Sequence, residues 1–205
     1  VFYRHPSADM LMRPEDVALD VIDRYDVFHF GSITMIGEPS RTATLRAVEY
    51  ALAAGKLVSY DPNLRLALWP DAAAARAGML AGLDYAHVVK VSEEEVDFMA
   101  PGQGVQALWR SRTRLIVVTR GADGARLYTR EAEYSAPGYS VAPVDTTGAG
   151  DGFVAGLLVG LLAHPDDYAA HIDELLRFAN AVGALTTTKK GAIPALPTEA
   201  ATRAL

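Results

Sequence analysis

The sequence predicts an α/β fold of repeated βα units around a mostly parallel sheet, and three observations carry that expectation. Short β-branched runs alternate with longer Ala- and Leu-rich segments of helical period. Half of the 205 residues are hydrophobic, enough to bury a full core as one domain or a large piece of one. The residues suited to chemistry follow the carboxyl ends of the apolar runs, where ligands collect in open α/β sheets: Gly31 and Ser32, Asp61 to Asn63, Lys90 and Ser92, and Thr119 to Gly121.

In chain order, the first strand is read in "DVFHFGS" (Asp26 to Ser32) and the second in "KLVSYDP" (Lys56 to Pro62). The third is "AHVVKVS" (Ala86 to Ser92) and the fourth "RLIVVTRG" (Arg114 to Gly121). Pro, Gly and Asp punctuation sets off helices at about 40–54, 71–83 and 93–99 between them. Beyond Gly121, "GARLYTREAEYSAP" reads as two short strands joined by a polar turn, with a further extended piece at "YSVAPV". Helices at about 150–163 and 168–186 follow. No fixed-period repeat and no dividing linker interrupts the pattern, so residues 1–205 are expected to form one domain or the major, C-terminal portion of one.

Composition removes several function classes. Nineteen Lys and Arg face 25 Asp and Glu, a net charge of −6, and no run of five basic residues occurs, so nucleic acid is not an expected partner. With no cysteine there is neither a disulfide nor a thiolate zinc site. No apolar segment is both long and uncharged enough to suggest a membrane span, so a cytoplasmic protein is expected. The opening "VFYRHPSADM" lacks both an initiating Met and a signal-peptide pattern, the expectation for a chain whose beginning is missing. His5, His29, His87, His164 and His171 show no spacing such as HExxH and are read as packing or surface residues.

The densest signal is "PVDTTGAGDGFVAGLLVGLL", Pro143 to Leu162. Gly148, Ala149, Gly150 and Asp151 place unpaired N–H groups at a helix start, where free donors and the positive dipole end attract anions. Asp151 has two readings there. It is a helix cap, or it is a general base that takes a proton from a hydroxyl while the N–H cluster holds a transferring phosphoryl group. Neither GxxxxGK[ST] nor a strand-to-helix GxGxxG is present to compete.

The string "DTTGAGDGFVAGLL" resembles the C-terminal signature of the ribokinase-like, or PfkB, family of carbohydrate kinases. "FYRHPSADML", "FHFGSITMIGEPSR", "VSYDPNLRLALWP", "VVKVSEEEVDFM", "IVVTRGADGARLY" and "FANAVGALTTTKKGAIPALPT" extend the likeness in the family order, most like its fructokinase branch. The resemblance implies a ribokinase-like sheet flanked by helices on both faces, without the family's N-terminal part and its β lid. It implies ATP-dependent phosphorylation of a sugar primary hydroxyl, fructose to fructose 6-phosphate, with Mg²⁺ and a K⁺ site. A kinase for 2-keto-3-deoxygluconate, another sugar or a nucleoside, and a noncatalytic nucleotide-binding relative, are the alternatives. A homodimer is implied by the lid strands of relatives.

Carried over by position, the resemblance makes Asp151 the catalytic base and Gly148, Ala149 and Gly150 its anion hole. Thr119, Gly121 and Gly124 match the loop along the ATP phosphates and ribose, and Asn180 falls near the adenine. Lys90, Ser92 and Glu95 match a segment that organises phosphate-bound Mg²⁺, normally through water; "SEEE" is equally a capping box. Asn63 and Arg65 lie near phosphate and substrate, and Tyr3, Arg4 and Asp9 in the sugar segment. Asp145, through its side chain, and Thr147, Thr186, Lys189 and Gly191, through backbone, match the K⁺ site, while Ala195 stands where some relatives offer a hydroxyl. "TTTKKGAIP" also reads as a plain helix end, with Lys at the negative dipole terminus and Gly beyond it.

Overall fold

The computed structural model describes residues 7–205, whose strands form a mixed sheet in the order β1-β2-β3-β4-β5-β6. In chain order the elements are α1 (Leu19–Asp23), β1 (Val27–Gly31), α2 (Ser40–Ala53), β2 (Leu57–Asp61), α3 (Ala72–Gly82), β3 (Val88–Ser92), α4 (Glu93–Met99) and β4 (Leu115–Thr119). Then come β5 (Ala125–Tyr128), β6 (Glu133–Ala136), α5 (Ala149–Ala163), α6 (Ile172–Thr186) and α7 (Glu199–Arg203). Contacts group them into two compact units, one running to Ile116 and one from Val117 to Leu205.

In the first unit β1, β2 and β3 are parallel neighbours, with Val27 opposite Leu57, Gly31 opposite Asp61, and Ser59 opposite Val88. Val58 to Asp61 and Val88 to Val91 are buried without alternation, so both faces of these strands are covered. Helix α2 buries Ala43, Ala47, Val48 and Ala51, one stripe of small residues that lets it lie close on β1 and β2. Tyr60 anchors the core: its ring stacks on Phe30 at 4.6 Å and its hydroxyl donates to Met79 O at 3.1 Å. A Cβ on Gly82 would stand 2.3 Å from that ring, so the end of α3 tolerates only glycine. Asp71 caps α3 by accepting from Ala74 N at 2.8 Å.

In the second unit β5 and β6 form the expected antiparallel hairpin, Ala125 opposite Ala136 and Tyr128 opposite Glu133, turned by Thr129 accepting from Glu131 N and Ala132 N. Helices α5 and α6 pack through a stripe of glycines. Cβ atoms on Gly152, Gly156 and Gly160 would fall 2.6 Å from Thr186 Oγ1, 3.0 Å from Val182 Cγ2 and 2.4 Å from Leu175 Cδ2. The partners descend as the glycines ascend, so the helices run antiparallel at very close approach.

The extended piece "YSVAPV" joins no ladder: Pro143 has no N–H to give, and the N–H groups of Val144 and Asp145 both go to Thr187 O, at 2.7 and 3.1 Å. One detail differs from the sequence reading. The last long helix begins at Ile172, residues 168–171 being a separate 3₁₀ turn.

Candidate active site

The turn before α5 is built around Gly148. Its φ is 82°, and a Cβ there would sit 2.7 Å from the Cβ of Ala192, so both conformation and space require glycine. Ala149 N–H is used on Thr146 O at 3.2 Å and Gly152 N–H on Gly148 O at 2.8 Å. Between them, the N–H groups of Gly150 and Asp151 have no acceptor among the described residues. Asp151 is the third residue of α5 and its side chain is exposed, with no hydrogen-bond or ion-pair partner among the described residues. Gly148 is the N-cap and no side chain caps the helix, so the capping reading of Asp151 has no counterpart in the geometry.

Ala149 and Gly150 form part of the wall of a cleft of about 620 Å³ that lies wholly within the second unit. Thr119, Gly121, Gly124 and Asn180 line it too. Thr119 ends β4, and the chain turns through Gly121 (φ 55°) and Gly124 (φ 89°). A Cβ on Gly124 would lie 2.2 Å from Ala136 O, which makes this loop as intolerant of side chains as the α5 turn. Asn180 is buried in α6 and donates its amide hydrogens to Ala136 O at 3.2 Å and Pro137 O at 3.1 Å. It therefore fixes the end of β6 against α6 and has only its carbonyl oxygen left for a ligand. Sequence reasoning missed Tyr139, Ser140 and Val141 on the same wall, because an irregular extended segment carries no local motif.

Asp145 ties this turn to the chain beyond α6. Oδ1 accepts from Thr147 N at 3.0 Å and Thr147 Oγ1 at 2.6 Å, and Oδ2 accepts from Gly191 N at 2.9 Å. The Thr147 hydroxyl, the Gly191 and Thr147 N–H groups and the nearby Lys190 charge hold its carboxyl down to about 2. Asp145, Thr147 and Gly191 thus form one hydrogen-bonded cluster. Thr186 is fully buried, its hydroxyl bonded to Val182 O at 2.8 Å, and the Lys189 side chain is exposed. Ala195 is buried in a 3₁₀ turn.

The first unit gathers a second polar cluster after β2 and β3. Lys90 Nζ pairs with Asp61 Oδ2 at 3.1 Å, with side chains only 9% and 5% exposed. Asp61 Oδ1 accepts from Asn63 N at 3.1 Å, and Asn63 is the one non-glycine described residue with positive φ, at 49°. Ser92 and Glu95 complete the capping box of α4, with Glu95 Oε2 accepting from Ser92 N at 2.8 Å. Glu95 Oε1 accepts from Leu64 N at 2.7 Å, which pins the loop carrying Asn63 and Arg65. Each carboxylate oxygen of this buried Glu keeps one lone pair beyond its backbone bond and can accept a further hydrogen bond from water. The Arg65 guanidinium donates to Leu64 O at 2.9 Å. Asp9 is exposed and accepts from Ser7 Oγ; Tyr3 and Arg4 lie outside the described residues.

No described helix is long and apolar enough to cross a membrane. The family model for pfkB family carbohydrate kinases matches residues 1–199. The chain is 50% identical over 215 residues to probable fructokinase-4 of Arabidopsis thaliana, covering all of this chain and 65% of that protein. It is 49% identical to fructokinase-1 of Zea mays, covering 98% of this chain and 64% of the relative. The chain therefore spans just under two thirds of the length of these curated relatives. Among solved structures, fructokinase with bound ATP from Xylella fastidiosa superposes with a TM-score of 0.90 at 36% identity, over all of this chain and 68% of that one. Fructokinase from Vibrio cholerae O395, in a form with fructose, ADP and calcium bound, gives a TM-score of 0.85 at 37% identity, over 97% of this chain and 66% of that one.

Proposed function

We propose, from the premise that this chain belongs to the pfkB family of carbohydrate kinases, that it carries the phosphoryl-transfer centre of an ATP-dependent fructokinase producing fructose 6-phosphate. The observation that carries this reading is the first turn of α5, where an unpartnered carboxylate follows two N–H groups on or beside the cleft wall. A carboxylate without protein donors is free to accept a proton, and N–H groups without acceptors are free to bind an anion.

ATP would supply the transferable phosphoryl group, held by the cleft that Thr119, Gly121, Gly124 and Asn180 line. The cleft volume falls in the range of small-molecule sites, and its glycine walls allow backbone to approach phosphate closely. Asp151 accepts the proton of the sugar primary hydroxyl as that oxygen attacks. The N–H groups of Gly150 and Asp151 hold the negative oxygens of the moving phosphoryl, aided by the N-terminal dipole of α5. Ser92 and Glu95 would hold Mg²⁺ through water, and Asp145 with the backbone near Gly191 would offer hard oxygen ligands to K⁺.

The test is ADP release with MgATP and fructose by the complete native protein and its Asp151→Asn variant. Replacing the base should lower kcat by about 10²–10⁴-fold with little change in ATP affinity. Turnover within threefold of the parent would remove Asp151 from the chemistry, and absence of fructose-stimulated turnover in the parent would sink the substrate assignment.

A further inference from the structure

The connection between α5 and α6 brings four residues of metal-binding types together at the end of the helix pair away from Asp151. His164 follows the last residue of α5, Asp167 precedes the 3₁₀ turn, His171 is the N-cap of α6, and Glu174 lies in its first turn. Asp151 and His164 are thirteen residues apart along α5, about 20 Å of helix, so this cluster is separate from the candidate active site.

The two imidazoles stack, with ring centres 3.7 Å apart and planes 20° from parallel, so one ring must turn about its side-chain bonds for the in-plane lone pairs of both to meet one ion. One ligand atom each of His164, His171 and Glu174 lies within 4.8 Å of the others, near enough for side-chain rotation to bring them onto one ion with bonds of about 2.1 Å. Glu174 Oε2 is 3.9 Å from His171 Nδ1, while its Oε1 faces Arg203 at 3.7 Å, leaving one oxygen turned to the histidines. Asp167 addresses both rings, at 3.3 Å from His171 Nε2 and 3.7 Å from His164 Nδ1. A carboxylate on the second nitrogen of a ligating histidine fixes its tautomer and raises its basicity.

We propose that His164, His171 and Glu174 form a binding site for a divalent transition-metal ion, Zn²⁺ foremost, with Asp167 as the orienting carboxylate and a water in the fourth position. Two imidazoles and one carboxylate suit zinc, whereas Mg²⁺ and Ca²⁺ prefer oxygen-only sets. The four side chains are between 30% and 65% exposed, so the ion can enter without unfolding. Once bound, the ion joins the end of α5 to the start of α6 and clips the closely packed pair at its turn.

The experiment is calorimetric titration of the EDTA-treated protein with ZnCl₂ in buffer containing millimolar Mg²⁺, with thermal melts in parallel. The expected result is one Zn²⁺ per chain with micromolar or tighter affinity and a melting temperature raised by Zn²⁺. His164→Ala and His171→Ala should each weaken binding by more than tenfold and Asp167→Asn by about tenfold, while Asp166→Asn binds as the parent does. The visible spectrum of the Co²⁺-loaded parent, which needs no variant, should show the intense bands of four-coordinate cobalt. No saturable Zn²⁺ binding, binding unchanged in both histidine variants, or only the weak spectrum of hydrated Co²⁺ would overturn the site.

Discussion

Lys90 and Asp61 illustrate how a single buried residue pair ties the ends of two neighbouring strands together. Removing a buried charge from water is costly, and the 3.1 Å contact together with the Asn63 N–H offsets that cost. Lys90→Met would strand the Asp61 carboxylate in the core, and the expected loss is about 3–5 kcal/mol in a urea unfolding curve. A loss below about 1 kcal/mol would mean that water reaches Asp61. Asn63 stands beside it with a left-handed backbone that Asn adopts more readily than most residues. Strain of this kind persists where surrounding contacts over-determine it, as the pinned loop from Asp61 to Leu64 does. Asp145 ties the turn before α5 to Gly191 in a comparable way. Asp145→Ala would remove the acceptor shared by Thr147 and Gly191, and ADP-release kinetics should show a fall in kcat of tenfold or more. An unchanged kcat would show that the turn holds its shape unaided.

At the scale of elements, the glycine stripe of α5 is the feature most exposed to mutation. Gly156 has Val182 Cγ2 and the Cα of Ala179 near 3 Å from where a Cβ would be, so Gly156→Val forces the helices apart. Overpacking of this kind costs about 1–3 kcal/mol, and the displacement should also reduce kcat, because the N-terminus of α5 carries Asp151. Unfolding midpoints and kinetics on one preparation would separate the two effects; a variant as stable and active as the parent would show that the pair is looser than the geometry describes. The same elements explain what the sequence could convey. β1 to β4 were readable because buried parallel strands are continuous β-branched runs, and α5 because its glycine turn is a dense local signal. α1, α7 and the 168–171 turn are short and lack long-range periodicity, so tertiary packing decides them. The site divides in the same way. The α5 turn, the glycine loop after β4 and the α4 capping box were legible as motifs. The partners of Asn180 and the convergence of His164 with His171 depend on contacts that no local pattern records.

For the whole molecule, the shifted groups set a direction for stability against pH. His87 accepts a hydrogen bond from Val58 N at 3.0 Å. Burial first, then Arg114 and Arg112, lower its pKa below 6.5. Glu38, through Thr42, and Asp145, through Thr147 and Gly191, are lowered from 4.5 and 3.8 respectively. In each case the unfolded chain binds protons at a higher pH than the folded one, so stability rises with pH across these windows. It is complete above the unfolded pKa values and is lost as pH falls through the folded ones. Tyr60 acts at the other end: burial first, then Asp61 and Glu95, raise its phenol well above 10.0, so its contribution is lost as pH rises past the unfolded value. The expected profile of melting temperature is a plateau between about pH 7 and 10, a first decline below 6.5 from His87, and a second below about 4.5, where exposure screens the carboxylates and keeps their share small. His87→Gln keeps an acceptor for Val58 N–H but cannot titrate, so it should abolish the first decline and leave the second. If the parent melts at the same temperature at pH 7.5 and pH 5, or if the variant retains the first decline, His87 is not the group that couples this fold to pH.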